Sequence, residues 1–300
     1  MNKILSQAAL LLPAAILFLP GAGPGGPSAP PRRLPPDLST VKVRPKGLHV
    51  KILEGTLFVP DYLALRPGKI PLFLHFQGDR RLAEANLYMA RVRAALYTSN
   101  LKGLSGAFSR PFRDPAHLDR ILAGAEKALS SLLPSGKVSV GRIGITSFSA
   151  GFGAVREILK RKEYFDRIDF LLMADSIYAS YLSPGIRVPP VEQMVDFMRF
   201  AQRAALGKKV MVVAHGRYLP SKYCGTWETA DLLLASVGGK RRKVREFTRR
   251  GVPIRFRFDL GGLHLLANDE AAARSHADFF YMIGELLERF APFRGEGGKR

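Results

Sequence analysis

From residue 45 onward the apolar positions switch repeatedly between the period of two that suits a strand and the period near 3.6 that suits a helix. HVKILEGTLFV (49–59) carries two β-rich halves around Glu54 and Gly55, which predicts an antiparallel hairpin at the start of a sheet. IPLFLHF (70–76) is a short continuous apolar run, the pattern of a strand covered on both faces. Residues 83–95 and 115–133 read as helices, 138–146 (VSVGRIGIT) as a β-branched strand ending in a turn, and 154–162 as the helix beyond that turn. Residues 170–174 and 209–214 repeat the strand theme, and 252–260 (VPIRFRFDL) supplies the last strand. A helical period over 269–290, with Asn268 placed to cap it, closes the domain. This alternation predicts an α/β fold, a mostly parallel central sheet flanked by helices on both faces.

The segment ahead of this pattern is different in kind. Lys3 is followed by an apolar run to residue 19 and then by Gly21, Ala22 and Gly23, so residues 1–23 read as a signal peptide or N-terminal anchor, with export to the periplasm, envelope or medium as the expectation. Pro13 interrupts the run, which is short for a membrane span. Residues 24–44 are a Pro- and Gly-rich linker, 45–293 the folded domain and 294–300 a flexible basic tail.

Composition narrows the class. With 300 residues and 47% hydrophobic side chains the chain can bury a large core without a metal or disulfide. Its single cysteine, Cys224, excludes an internal disulfide and a paired-cysteine motif. Lys and Arg number 46 against 25 Asp and Glu, a net charge of +21 that favours anionic partners. The densest basic run spans residues 240–250 and, taken at helical spacing, reads as a solvated face; the alternative is a basic face that binds an anionic polymer or a membrane surface. No nucleic-acid module accompanies it, which leaves nucleic acid an unfavoured partner. No His, Asp and Glu spacing points to a metal. A dinucleotide fingerprint after Gly151 would need glycine where Arg156 stands, so no cofactor is expected.

The strongest chemical signal is GITSFSAGFG (144–153), a buried strand running through a tight turn into a helix. Ser147 and Gly151 are the small residues two positions either side of Ser149, the arrangement that lets a strained turn lift a serine hydroxyl clear of a sheet. The amides at the start of the following helix could then stabilise an oxyanion. On these residues the chain resembles the α/β-hydrolase superfamily, the serine esterases and lipases, over roughly residues 45–292. The motif is Ser-x-Ser-x-Gly where the family has Gly-x-Ser-x-Gly.

The resemblance implies a Ser-His-acid triad, an acyl-enzyme and an acyl ester as small-molecule substrate, with Ser149 as nucleophile. HFQGD (75–79) resembles an oxyanion loop and implies the backbone amides of Gln77 or Phe76 as one donor, with that of Ala150 as the second. By the family's placement beyond the final strand, His264 is the first choice for the base and His276 the alternative. Asp175, directly after residues 170–174, is the first choice for the acid and Glu228 the second. A runner-up reading keeps the fold without catalysis, as a binder of anionic polymer at the cell envelope.

Overall fold

The computed structural model describes residues 43–271 and 275–293. Residues 1–42 and 294–300 lie outside them, and with them the predicted signal, nearly all of the linker and the tail. Among the described residues ten strands form one sheet in the order β1-β2-β4-β3-β5-β6-β7-β10-β9-β8. β1 (Gly47–Ile52) and β2 (Gly55–Pro60) make the predicted hairpin, with Ile52 opposite Gly55 at the turn. The centre is parallel: β4 (Ala95–Ser99), β3 (Gly68–Phe76), β5 (Val138–Phe148), β6 (Ile168–Ala174), β7 (Val210–His215) and β10 (Leu263–Ala267) run the same way. β8 (Arg242–Phe247) and β9 (Pro253–Leu260) return antiparallel at the far edge.

Because side chains alternate across a strand, the sheet feeds two cores. One face carries Leu72, Leu74, Ile145 and Met173 against α3 (His117–Ser130), α4 (Phe152–Leu159) and α6 (Val191–Ala205). The other carries Phe73, Phe170 and Leu172 against α1 (Arg80–Met89) and α8 (His276–Phe290), which pack on each other. Parallel strands buried on both faces read as continuous apolar runs, which is why β3 and β6 were plain in the sequence. Cys224 is buried and free, and desolvation pushes its thiol up to about 11.

Several expectations are corrected. The helix predicted over 83–95 ends at Met89, and ALYTS after it is β4, a wholly buried strand between β2 and β3. The Gly- and Ser-rich stretch 100–112 reads as a loop, but residues 105–112 within it form α2 (Ser105–Phe112). The helix predicted over 154–162 is shorter and is followed by a separate one, α5 (Lys162–Arg167). The basic run is not a helical face: residues 242–247 are edge strand β8. Most consequential, residues 253–260 are not the last strand. Gly261 (φ +56°) and Gly262 turn the chain straight into β10, which pairs with both β9 and β7.

Candidate active site

The strand-to-helix junction after β5 carries the backbone strain that the sequence anticipated. Ser149 has φ +49°, a left-handed conformation that only glycine adopts freely, and it opens a single 3-10 turn, Ser149–Gly151, that leads into α4. Gly151 is needed for space rather than for φ. A Cβ there would lie 2.3 Å from the Phe76 carbonyl oxygen and 2.7 Å from Ser147 Oγ. Ser147, at the position of the motif's first glycine, is held in place: its hydroxyl donates to Ser176 Oγ (2.7 Å), and Ser176 Oγ donates to the Ser149 carbonyl (2.8 Å). Ser176 thus ties the elbow to the neighbouring strand end, a role that nothing local in the sequence announced.

Asp175 leaves β6 with φ +43°, and Gln77 leaves β3 with φ +73°. Of the five non-glycine residues with positive φ among the described residues, three therefore stand on the C-terminal crest of the adjacent strands β3, β5 and β6. Such strain persists only where surrounding structure enforces it, and its concentration marks the crest as the candidate site.

The imidazole at this crest belongs to His276. Its Nδ1 lies 2.7 Å from Asp175 Oδ2, and its ring stacks on Phe148 at 4.5 Å, on the residue immediately before Ser149. Asp175 is almost fully buried. With the Nδ1 hydrogen donated to the carboxylate, Nε2 is the nitrogen left to act on a neighbouring hydroxyl. The support is a ring ladder: Phe148 stacks on Phe280 (4.9 Å), and Phe280 stacks on His75 (5.5 Å).

His264 does not belong to this group. It lies within β10 opposite Val212, which is level with Leu172 and in turn with Thr146, three residues below Ser149. Three strand spacings sideways and three residues down put it roughly 17 Å from the elbow. Its Nδ1 contacts Asp259 Oδ1 at 2.7 Å and its ring stacks on Phe290, at the opposite end of the helix that begins with His276. The expectation failed because it took β9 for the final strand. His276, in turn, is not two turns inside a helix: α8 begins at His276, and Asn268 accepts from the Glu270 amide in the preceding loop instead of capping α8.

Glu228 is corrected as well. Its carboxylate accepts from the Gly225 amide at 2.7 Å, closing the first turn of α7 (Thr226–Ala235), and pairs with Arg187 at 2.8 Å. Among the oxyanion candidates, the Gln77 amide is committed to the Ser99 carbonyl (3.1 Å), and the Gln77 carbonyl contacts His75 Nε2 (2.8 Å). Phe76 lies inside the sheet, opposite Ser99 and Ser147. Gln77 Oε1 is buried with no hydrogen-bond partner among the described residues. Ala150 stands in the first turn after the elbow, where amides lack intrahelical acceptors.

Two further histidines are structural. His75 is clamped between Thr146 Oγ1 (2.7 Å) and the Gln77 carbonyl, so Nδ1 accepts and Nε2 donates. Burial drives its pKa down to about 4. His215, at the end of β7, is fully buried, donates from Nδ1 to the Gly216 carbonyl (2.8 Å), and is likewise lowered by burial, then by the nearby Arg241, to about 4. Both are neutral at pH 7. Among the described residues no group of three His, Cys, Asp or Glu is placed to hold a metal ion.

A leading antiparallel hairpin, a parallel centre covered on both faces and a strained serine between the middle strand and its helix decide the architecture. The fold is α/β-hydrolase-like. No family model and no curated protein matches the chain. Solved structures with a similar trace include the feruloyl esterase module from Clostridium thermocellum complexed with sinapinate, at 10% identity and TM-score 0.46, covering 89% of this chain and 96% of that one. An alpha/beta hydrolase fold protein from Chitinophaga pinensis is 12% identical with TM-score 0.42, covering 83% and 98%. The Pyrobaculum calidifontis esterase is 11% identical with TM-score 0.42, covering 83% and 85%. At these values the likenesses carry no weight for the chemistry, which rests on the crest residues of the α/β-hydrolase-like fold itself.

Proposed function

We propose that the protein is a serine hydrolase that cleaves a carboxylic ester or similar acyl bond, with Ser149 as nucleophile, His276 as base and Asp175 as the acid that orients it. The observation that carries this reading is the Asp175–His276 contact of 2.7 Å, made beside a serine in a strained left-handed turn. In the mechanism, His276 Nε2 takes the Ser149 hydroxyl proton as Oγ attacks the carbonyl carbon. The imidazolium so formed is stabilised by the Asp175 carboxylate. It returns the proton to the leaving alkoxide as the tetrahedral intermediate collapses to the acyl-enzyme. Water, deprotonated by the same imidazole, then releases the acid and restores Ser149.

The oxyanion is assigned to the Ala150 amide and, from the β3 crest, to the side-chain carboxamide of Gln77. The Gln77 backbone amide is unavailable, whereas the carboxamide has an orphaned end that reorients by exchanging its oxygen and nitrogen. Residues 1–23 are carried forward in this proposal as an export signal, which a fractionation of expressing cells tests directly.

The decisive experiment is hydrolysis of p-nitrophenyl acyl esters together with labelling by a fluorophosphonate. Wild-type protein turns over the ester and takes up one label on Ser149; Ser149→Ala does neither. Equal rates in the two proteins, or a label on another residue, would overturn the assignment.

A further inference from the structure

The edge of the sheet beyond β10 carries a second built feature that the catalytic reading does not use. A trough follows β8 and β9 on either side of Lys243 and Phe256, which face each other across the two strands. One part, about 410 Å³, is lined by Trp227, Asp231, Lys240 and Arg241 among others. The other, about 810 Å³, is lined by Arg245, Phe247, Arg255 and Asp269 together with the shared pair. Five cations thus face two carboxylates. Of these carboxylates Asp231 is already paired with Arg241, while Lys240, Lys243, Arg245 and Arg255 form no ion pair with a described residue.

The floor of the trough is built for an anion. The Arg241 side chain is only 8% exposed, its guanidinium lies 4.2 Å over the Trp227 ring, and its Nη2 donates to the Trp227 carbonyl at 2.9 Å. Its Nε is buried with no partner among the described residues. One donor of this guanidinium is thus unsatisfied although Nη1 pairs with Asp231, and desolvation lowers its pKa against the opposing pull of that carboxylate. Further out, Arg255 lies over Phe247 at 5.3 Å and Arg217 over Trp227 at 5.3 Å. Stacking on an aromatic face fixes a guanidinium plane and leaves its N–H edges outward, the geometry that grips a carboxylate with two parallel hydrogen bonds. The same stacking covers faces of Trp227 and Phe247 on which a nucleobase would otherwise sit, which disfavours single-stranded nucleic acid. A concave strip also suits a chain better than a flat bilayer.

The trough shares an end with the crest. Phe256 is level with Ala267, which is opposite His215, the last residue of β7, beside Asp175. Four strand spacings separate β9 from β5, roughly 19 Å, or a few sugar units of an extended polysaccharide. We propose that this trough binds a linear acidic polysaccharide through its carboxylates, with Lys243, Arg245 and Arg255 as the outer contacts and Arg241 as the inner one. The site stands whether or not Ser149 is catalytic.

Trp227 is the only tryptophan in the chain, so its fluorescence reports on the trough. The experiment titrates Ser149→Ala protein with polygalacturonate at 50 mM salt. A saturable change in Trp227 emission is expected, with the midpoint moved at least tenfold by 500 mM salt and at least tenfold by the double variant R245Q/R255Q. Lys243→Gln should move it less. Thermal melts of each variant confirm folding, and because Lys243 and Arg245 are exposed on edge strand β8 and Arg255 is half-exposed on β9, their melting temperatures should match the parent. Neutral dextran should leave the emission unchanged. Equal midpoints for parent and variants, an equal response to dextran, or tighter binding to poly(U) RNA or to anionic phosphatidylglycerol vesicles would each overturn the proposal.

Discussion

Two carboxylate–imidazole pairs in this molecule have the same 2.7 Å contact and opposite prospects. Asp175 and His276 meet at the crest of the parallel sheet, the aspartate 5% and the histidine 27% exposed, with the strained Ser149 on the adjacent strand end. Asp259 and His264 meet across the β9–β10 ladder, mid-strand, where Asp259 also takes the guanidinium of Arg257 at 2.5 Å and lies 3.7 Å from Arg242. Burial works to raise the Asp259 carboxyl, but hydrogen bonds from Arg257 and His264 outweigh it and leave it below the usual range. That carboxylate is therefore already compensated by arginine, whereas no arginine or lysine forms an ion pair with Asp175 among the described residues. The lesson is that a histidine–aspartate pair becomes a candidate catalytic dyad through its position relative to a nucleophile and its freedom from competing cations. The contact distance by itself says nothing.

Removing each imidazole in turn separates the two pairs by the largest margin. His276→Ala is expected to lower kcat/KM for a p-nitrophenyl ester by about a thousandfold or more, in line with loss of a triad base, while His264→Ala leaves it within about threefold. Similar losses in both would return the two pairs to equal standing. The acids should divide in the same way: Asp175→Asn is expected to reduce kcat by two orders of magnitude or more with little effect on KM, because an asparagine fixes the wrong tautomer, whereas Asp259→Asn spares turnover. Steady-state kinetics on the purified variants reads this directly.

A third test asks whether the histidines that flank the site are structural. His75 and His215 are held neutral, with folded pKa values near 4 against about 6.5 when exposed. The unfolded chain thus binds more protons than the native state in the intervening range, so stability is complete above pH 6.5 and falls as the pH drops toward 4. Each contributes of order 3 kcal/mol across that window. Urea melts at pH 7 and pH 5 should show the loss, and His75→Gln should remove part of it; a flat profile would contradict the burial argument. Smaller again is the elbow's packing requirement. Gly151→Ala places a methyl against the Phe76 carbonyl and is expected to cost about 3 kcal/mol by thermal melt, with the Ser149 label lost or slowed.

Legibility followed locality. The elbow could be read because everything it needs lies within ten residues: a β-branched strand, small residues at 147 and 151, and a helical pattern beyond. Asp175 could be read because it directly follows an unbroken apolar run. The proposed base could not, because two registers had to be right at once. Gly261 and Gly262 fold β9 back onto β10, so a histidine that looks like part of a post-strand loop is mid-sheet. The apolar period of α8 extends backward past its true start, which hid His276 at a helix N-terminus. β4 was lost to the helix before it for a similar reason: ALYTS, buried on all five positions, has no alternation to betray it.

Neighbours along the chain and steric rules that act within a few residues were enough to set the α/β alternation, the serine turn and the strand end that carries the proposed acid. The tertiary structure alone decided which imidazole joins them, that Ser176 braces the elbow, that the Gln77 amide is spent inside the sheet, and that a basic run forms an edge strand over an arginine-floored trough. Each of these depends on which strand lies beside which. Pairing between strands far apart in sequence is fixed by burial summed over the whole sheet, a quantity that no local window contains.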